Sequence, residues 1–147
     1  MGIITRRQFI TSAPAVFGGA SILSACSQGS DPESYEAVAA RTWRAGSLVG
    51  IEGAALRQEL VRYATLAPSS HNTQCWKFEL DDRAITILPD LSRRCPAVDP
   101  DDHHVFVSLG CATENLIQAS LAHGLKAEVS FDTRRDAVRV TLAPITA

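Results

Sequence analysis

Residues 99–124 carry one long, well-bounded helical pattern, and any fold of this chain has to be built around it. Asp99 is a residue type that caps helices, Pro100 suits a first helical position, and Asp101 and Asp102 put negative charge where the helix dipole favours it. Val105, Leu109, Ala112, Leu116 and Ala119 then recur along one stripe, and Gly124 is placed to end the run. The pattern predicts a helix of about six turns with one side buried.

Shorter elements surround it. A helical stretch over residues 34–45 is punctuated by Gly46 and Gly50. A second helix follows, in which Leu56, Leu60, Tyr63, Ala64 and Ala67 recur at helical spacing, and Pro68 biases Ala67 out of the helical region. Trp76, Phe78 and Leu80 alternate with Lys77 and Glu79, the period-two pattern of a half-buried strand. Asp81-Asp82-Arg83 reads as a hairpin turn into residues 84–88, with Ile85 and Ile87 on one face. Residues 126–131 and 137–142 read as a last hairpin around Asp132-Thr133-Arg134-Arg135-Asp136. The expected fold class is α+β, with helices packed on a mostly antiparallel sheet.

The second helix and the first of these strands are joined by Ala67-Pro68-Ser69-Ser70-His71-Asn72-Thr73-Gln74-Cys75-Trp76. Hydrogen-bonding side chains crowd this short connection, the arrangement by which a rigid scaffold presents a loop to a planar, polar-edged ligand. A plainer alternative stands beside it: Ser and Asn in turns also bond their own backbone.

The segment resembles the flavin-binding stretch of the nitroreductase family, Ala-Pro-Ser-Ser-x-Asn-x-Gln-Pro-Trp at the end of a helix. The resemblance continues through Ile85-Thr86-Ile87-Leu88-Pro89-Asp90, Asp99-Pro100-Asp101-Asp102-His103-His104 and Ser108-Leu109-Gly110-Cys111-Ala112-Thr113-Glu114-Asn115-Leu116, which look like the Acg-type branch of that family, and covers roughly residues 41–142. One departure is Cys75, where the family usually has proline; that proline would pre-set the backbone at the start of the strand. The resemblance implies FMN as cofactor, with Ser69, Ser70, Asn72 and Gln74 supplying donors and acceptors to the isoalloxazine edge and the ribityl hydroxyls. The edge needs both kinds of partner, since it carries an N–H flanked by two carbonyls.

The N-terminus reads as an address. Thr5-Arg6-Arg7-Gln8-Phe9-Ile10 is a twin-arginine pattern, followed by an apolar run over residues 13–25 that is too short to span a bilayer. Leu23-Ser24-Ala25-Cys26 resembles a lipobox, which implies lipidation of Cys26; simple cleavage after Ala25, or a Sec-type signal whose charged start is Arg6-Arg7, are the alternatives. Domain organisation is thus expected as a signal with lipobox over 1–26, a tether and first helix over 27–46, and a nitroreductase-like partial domain over 47–147. The expected location is the bacterial envelope, either membrane-anchored through the lipid or periplasmic. The twin-arginine route carries proteins already folded, which suits acquisition of flavin before export.

Composition excludes several other classes. With 147 residues and a net charge of -2, the chain offers no basic surface for nucleic acid. Asp99, Asp101, Asp102, His103 and His104 form the densest ligand-capable cluster, yet neighbouring helix residues point about a hundred degrees apart, so no metal site is assigned. Cys75, Cys95 and Cys111 lack Cys-x-x-Cys spacing and are odd in number once Cys26 is lipidated, so no disulfide framework follows; a Cys75–Cys95 bridge is compatible with export. Cys111 is expected as a buried small hydrophobe. His71 neighbours the loop serines, but no acid or elbow motif orients it for hydrolysis. Arg93-Arg94 and Arg134-Arg135 read as solvated basic pairs, and Arg41-Thr42-Trp43-Arg44 is a faint version of the family's phosphate-binding segment.

The resemblance therefore implies an FMN-dependent oxidoreductase of nitroreductase type, drawing electrons from NAD(P)H or another donor and passing them to a nitroaromatic, quinone or similar acceptor. Acg-type relatives are about twice as long, so the chain is expected to be an N-terminal half whose flavin site is completed by a homodimer or by a second nitroreductase-like half. The alternative is a non-catalytic flavin-binding or vestigial envelope lipoprotein.

Overall fold

The computed structural model describes residues 3–4, 33–46 and 50–146. Apart from Ile3 and Ile4, the signal with lipobox expected over residues 1–26, Cys26 included, lies outside them. In chain order the elements are β1 (Ile3–Ile4), α1 (Tyr35–Trp43), α2 (Gly53–Ala64), β2 (Trp76–Leu80), β3 (Ala84–Pro89), α3 (His103–Ala122), β4 (Leu125–Asp132) and β5 (Ala137–Pro144). Two single 3-10 turns, Ser70–Asn72 and Leu91–Arg93, flank β2 and β3 in sequence.

The fold is α+β. The strands form one sheet in the order β1-β2-β3-β5-β4, and every neighbouring pair is antiparallel. Two residues of the segment read as a signal, Ile3 and Ile4, pair with Glu79 and Phe78 on the outer edge of β2. The 20-residue α3 packs against α2 and lies across β3, β4 and β5. Its stripe faces the core as expected, with Val105, Leu109, Ala112, Leu116 and Ala119 all buried against Leu60 and Ala64 of α2 and Ile85, Ile87 and Val140 of the sheet.

The period-two strands fall where alternation places them. Trp76 and Phe78 are buried, and the register sets Phe78 opposite Ile87 and Ile87 opposite Val138, a continuous apolar row across three strands. β3 is central and buried on both faces, since Ala84 and Thr86 are as inaccessible as Ile85 and Ile87. Glu79 departs from the simple alternation. Its side chain is buried rather than exposed, and its carboxylate accepts a 2.7 Å hydrogen bond from Arg135 of the distant β4–β5 turn. Such pairing is what makes a carboxylate tolerable at a dry position.

Helix limits differ from the sequence expectation at two points. The second helix closes at Ala64, capped at Thr65, rather than running to Ala67, although Ala67 still buries its side chain. The long helix begins at His103, not beside Asp99, so Pro100 and Asp101 lie in the preceding turn and Asp102 precedes the first helical residue in a left-handed conformation (φ 57°). Asp99 caps nonetheless. Its buried carboxylate reaches past the turn to accept from the backbone N–H of His104 (2.9 Å) and Val105 (3.4 Å). At the other end Gly124 takes φ 70° and stops the helix as its lack of a Cβ allows.

α1 is short, has no fully buried residue and is capped by the Ser34 hydroxyl, which accepts from the Ala37 N–H. The segment after it is fixed to α2 by charge. Arg44 donates two hydrogen bonds to Glu59 (3.0 and 2.7 Å), and Arg62 donates two more to the same carboxylate (3.0 and 2.7 Å) and one to the Thr42 carbonyl. Held first by Arg62 and then by Arg44 against the opposing effect of burial, the Glu59 carboxyl titrates at about 2 instead of 4.5. A Cβ on Gly46 would run into this carboxylate, so a side chain here would have to push Glu59 away from its arginines.

Candidate functional site

The connection from α2 to β2 folds into a compact, left-handed knot of backbone. His71 (φ 51°), Asn72 (φ 53°) and Gln74 (φ 51°) all occupy the left-handed region, which a non-glycine residue enters at a cost of roughly 1–2 kcal/mol, least for Asn. Three such residues in four positions persist only where the surroundings over-determine them, and positions of this kind concentrate at ligand-binding sites.

The surroundings here can be named. The Ser69 hydroxyl accepts from the Gln74 backbone N–H at 2.9 Å, closing the loop on itself. The Ser70 N–H donates to the Ser108 hydroxyl of α3 at 3.2 Å. Thr73 donates its hydroxyl to the Ser70 carbonyl (3.0 Å), and the Thr73 carbonyl accepts from the Arg93 guanidinium at 2.8 Å. β2 then starts under restraint, because the Cys75 carbonyl accepts from the Asp90 N–H at 2.9 Å.

The four candidate ligand residues thus separate into two kinds. Ser69 and Ser70 are half-buried and hold the backbone, as the turn alternative requires: Ser69 through its side chain and Ser70 through its N–H and carbonyl. Asn72 is exposed and Gln74 half-exposed. Their amides touch each other only at 3.4 Å, too long to occupy either fully, so donors and acceptors face outward together. His71 is exposed beside them.

Around this loop the charged residues are paired. Asp90 is buried, which raises its carboxyl, but the Ser92 hydroxyl and Lys77 outweigh that and hold it below the ordinary aspartate range. Arg93 lies 3.6 Å from the same carboxylate and Arg94 3.3 Å from Asp102. Arg93, read from sequence as a solvated basic residue, is instead a brace for the loop. Nothing in its local sequence indicates this, because its partner Thr73 is twenty residues away. Arg44 of the faint phosphate-binding segment is committed to Glu59, and Arg135 to Glu79.

Among the described residues no group of three His, Cys, Asp or Glu side chains could hold an ion. His104 Nδ1 stands 3.8 Å from Asp99, whose carboxylate is engaged with backbone N–H groups. Cys75, Cys95 and Cys111 are free thiols, and Cys111 is half-buried against the core rather than enclosed in it.

Space is distributed unevenly. Behind the loop, a cavity of only about 10 Å³ is bordered by Ser70, Thr73, Cys75, Cys95 and Val105. At the opposite end of α3, a cavity of about 390 Å³ is lined by Tyr63, Leu66, Asn115, Ala119 and His123.

Apolar surface near the helices is also left open. Val129 and Phe131 of β4 stand in register with Val140 and Val138, on the face of the sheet that carries α3, yet each is about half-exposed. Phe106, Val107 and Leu121 of α3 are exposed as well.

No family model and no curated protein sequence matches the chain. Among solved structures, it is similar to one from Parabacteroides distasonis provisionally described as an NADH dehydrogenase/NAD(P)H nitroreductase, with 17% identity, a TM-score of 0.51, and coverage of 66% of this chain and 77% of that one. The similarity is one of fold: the helices and antiparallel sheet of this chain are arranged as in a nitroreductase-like partial domain.

Proposed function

We propose that this chain is an FMN-dependent oxidoreductase of nitroreductase type, exported by the twin-arginine route and anchored through a lipid on Cys26. The observation that carries the reading is the braced, left-handed loop at residues 69–74, which turns the amides of Asn72 and Gln74 outward within a nitroreductase-like fold. The donor set suits the cofactor. A carboxamide offers an N–H donor and a carbonyl acceptor side by side, which is what the N–H and carbonyls of the isoalloxazine edge require. Ser69 and Ser70 support the loop from within, so Asn72 and Gln74 are the residues that would touch the ring. When bound, the flavin supplies hydride and electron transfer from NAD(P)H or another donor to a nitro, quinone or similar acceptor.

The open outer side of the loop and the uncovered Val129 and Phe131 favour a site completed by a second copy or a second nitroreductase-like half. The second reading, a non-catalytic flavin-binding envelope lipoprotein, rests on the same observation, because a lone chain leaves the ring uncovered. An FMN titration followed by fluorescence quenching, with reduction by NAD(P)H monitored in the same sample, tests both. Binding with bleaching of the flavin absorbance supports the oxidoreductase, and binding without it supports the second reading. No binding by a folded chain, alone or as a dimer, removes both.

A further inference from the structure

The one departure of the loop from its motif is Cys75, and the fold brings a second thiol to it. Cys75 is buried, with its sulfur 4.0 Å from the Val105 carbonyl oxygen. Cys95 is half-buried, outside any helix or strand, with its carbonyl accepting from the N–H groups of Val98 and Asp99. Both residues border the same cavity of about 10 Å³. A void of that size holds about one water, so the two cysteines meet at one small space between the start of β2 and the irregular segment. The backbones are already joined nearby, through the bond from the Asp90 N–H to the Cys75 carbonyl.

We propose that Cys75 and Cys95 form a redox pair, closed by thiol–disulfide exchange into a bridge that fastens the start of β2, and with it the polar loop, to the segment after the Leu91–Arg93 turn. The pair stands independently of the flavin reading, since its partners are sulfurs and its reagent is a disulfide. Accessibility sets the order of events. The half-exposed Cys95 thiolate attacks one sulfur of a disulfide oxidant such as oxidised glutathione, forming a mixed disulfide and expelling one glutathione thiolate. Cys75 then attacks the Cys95 sulfur, forming the protein bridge and expelling the second glutathione. Two protein thiols lose two electrons, one glutathione disulfide gains them, and the two protons pass to the departing glutathiones. Cys111, on α3, does not border the cavity and serves as an internal bystander.

The test treats the reduced full-length chain with oxidised glutathione, followed by intact-mass measurement and peptide mapping without reduction. The expected product is lighter by two hydrogens and contains a Cys75–Cys95 linked peptide. Trp76 is buried directly after Cys75, so its fluorescence should be quenched on oxidation. Cys95→Ser alters only a half-exposed position and should abolish both the mass change and the quenching. Cys75→Ser should instead stop at a stable glutathione adduct on Cys95. An adduct on Cys95 of the unaltered chain that never resolves, a bridge to Cys111 or Cys26, or no reaction at all would each overturn the proposal.

Discussion

The guanidinium of Arg93 donates to the carbonyl oxygen of Thr73 across 2.8 Å, so a residue beyond β3 fixes the middle of the loop that precedes β2. Arg93→Met keeps the aliphatic stem and removes the donor. A hydrogen bond of this kind contributes about 0.5–1.5 kcal/mol net, so global stability should fall by no more than that. Local opening should rise further. Hydrogen exchange at the backbone N–H groups of Asn72 and Thr73 should accelerate relative to those of β2, and equal rates in both proteins would show that the loop needs no brace.

Asn72 holds a left-handed backbone position and is the residue proposed to meet the flavin, and two substitutions separate these roles. Asn72→Gly keeps the left-handed backbone accessible and removes only the amide. Asn72→Ala removes the amide and adds strain of roughly 1–2 kcal/mol at φ 53°. If Asn72 contacts FMN, both variants should bind it more weakly by roughly five- to 150-fold, the equivalent of about 1–3 kcal/mol, and only the Ala variant should also lose stability. His104→Ala leaves the Asp99 cap on the backbone intact and should bind FMN like the parent. Unchanged binding by Asn72→Gly together with loss in His104→Ala would move the site to the helix start.

Glu59 sets an acid limit on the fold. Its carboxyl is lowered from 4.5 to about 2 in the folded chain, so its contribution is fully present above about pH 4.5 and is lost as the pH falls from there through about 2. The shift corresponds to about 3 kcal/mol. Glu59→Gln should therefore destabilise the chain by about that amount in urea at pH 7, leaving Arg62 buried without its counter-charge. The gap between the two proteins should narrow steadily below pH 4.5. A difference constant from pH 7 to pH 3 would show that the carboxylate charge is not what stabilises the cluster.

Val129 and Phe131 offer an apolar strip on the helix-bearing side of the sheet. Contiguous exposed apolar surface is a hallmark of contact sites, so sedimentation of the chain without its leader should show dimers or larger species. Phe131→Ser should shift the distribution toward monomer. A monomer at all concentrations in the unaltered chain would argue against a partner on this face.

The proposed address is tested in cells. Replacing Arg6 and Arg7 together with Lys should leave precursor in the cytoplasm, and Cys26→Ser should abolish acylation, read by fractionation and by incorporation of labelled fatty acid. Unimpaired export of the double-Lys variant would return Arg6 and Arg7 to the charged start of a Sec-type signal.

Strands β2 to β5 were legible in the sequence, because alternation at Trp76, Phe78 and Leu80 and at Ile85 and Ile87 reports a local geometry, whereas the edge strand β1 and the burial of Glu79 and of both faces of β3 depend on distant partners. The long helix was legible along its stripe but not at its start. Asp99 caps from outside the helix, across a turn that puts Asp102 in the left-handed region, and capping statistics assume a cap in contact with the first turn. In the loop the residue types were visible and their division of labour was not. Whether a serine faces a ligand or closes a turn depends on backbone angles, and the decisive contacts come from Arg93 and Ser108, far away in the chain. Glu59, Arg44 and Arg62 were silent for the same reason, since ion pairs between elements leave no periodic trace.

Ser108 occupies a single turn of α3, and its hydroxyl accepts from the Ser70 N–H while donating to the His104 carbonyl at 2.6 Å. One oxygen atom thereby splices the loop into the hydrogen-bond ladder of the 20-residue helix. A free loop of this length would surrender about 1–2 kcal/mol of backbone entropy for each residue that a ligand immobilised. Here that ordering has already taken place during folding, and a ligand at Asn72 and Gln74, as proposed, would meet a surface whose shape is fixed beforehand.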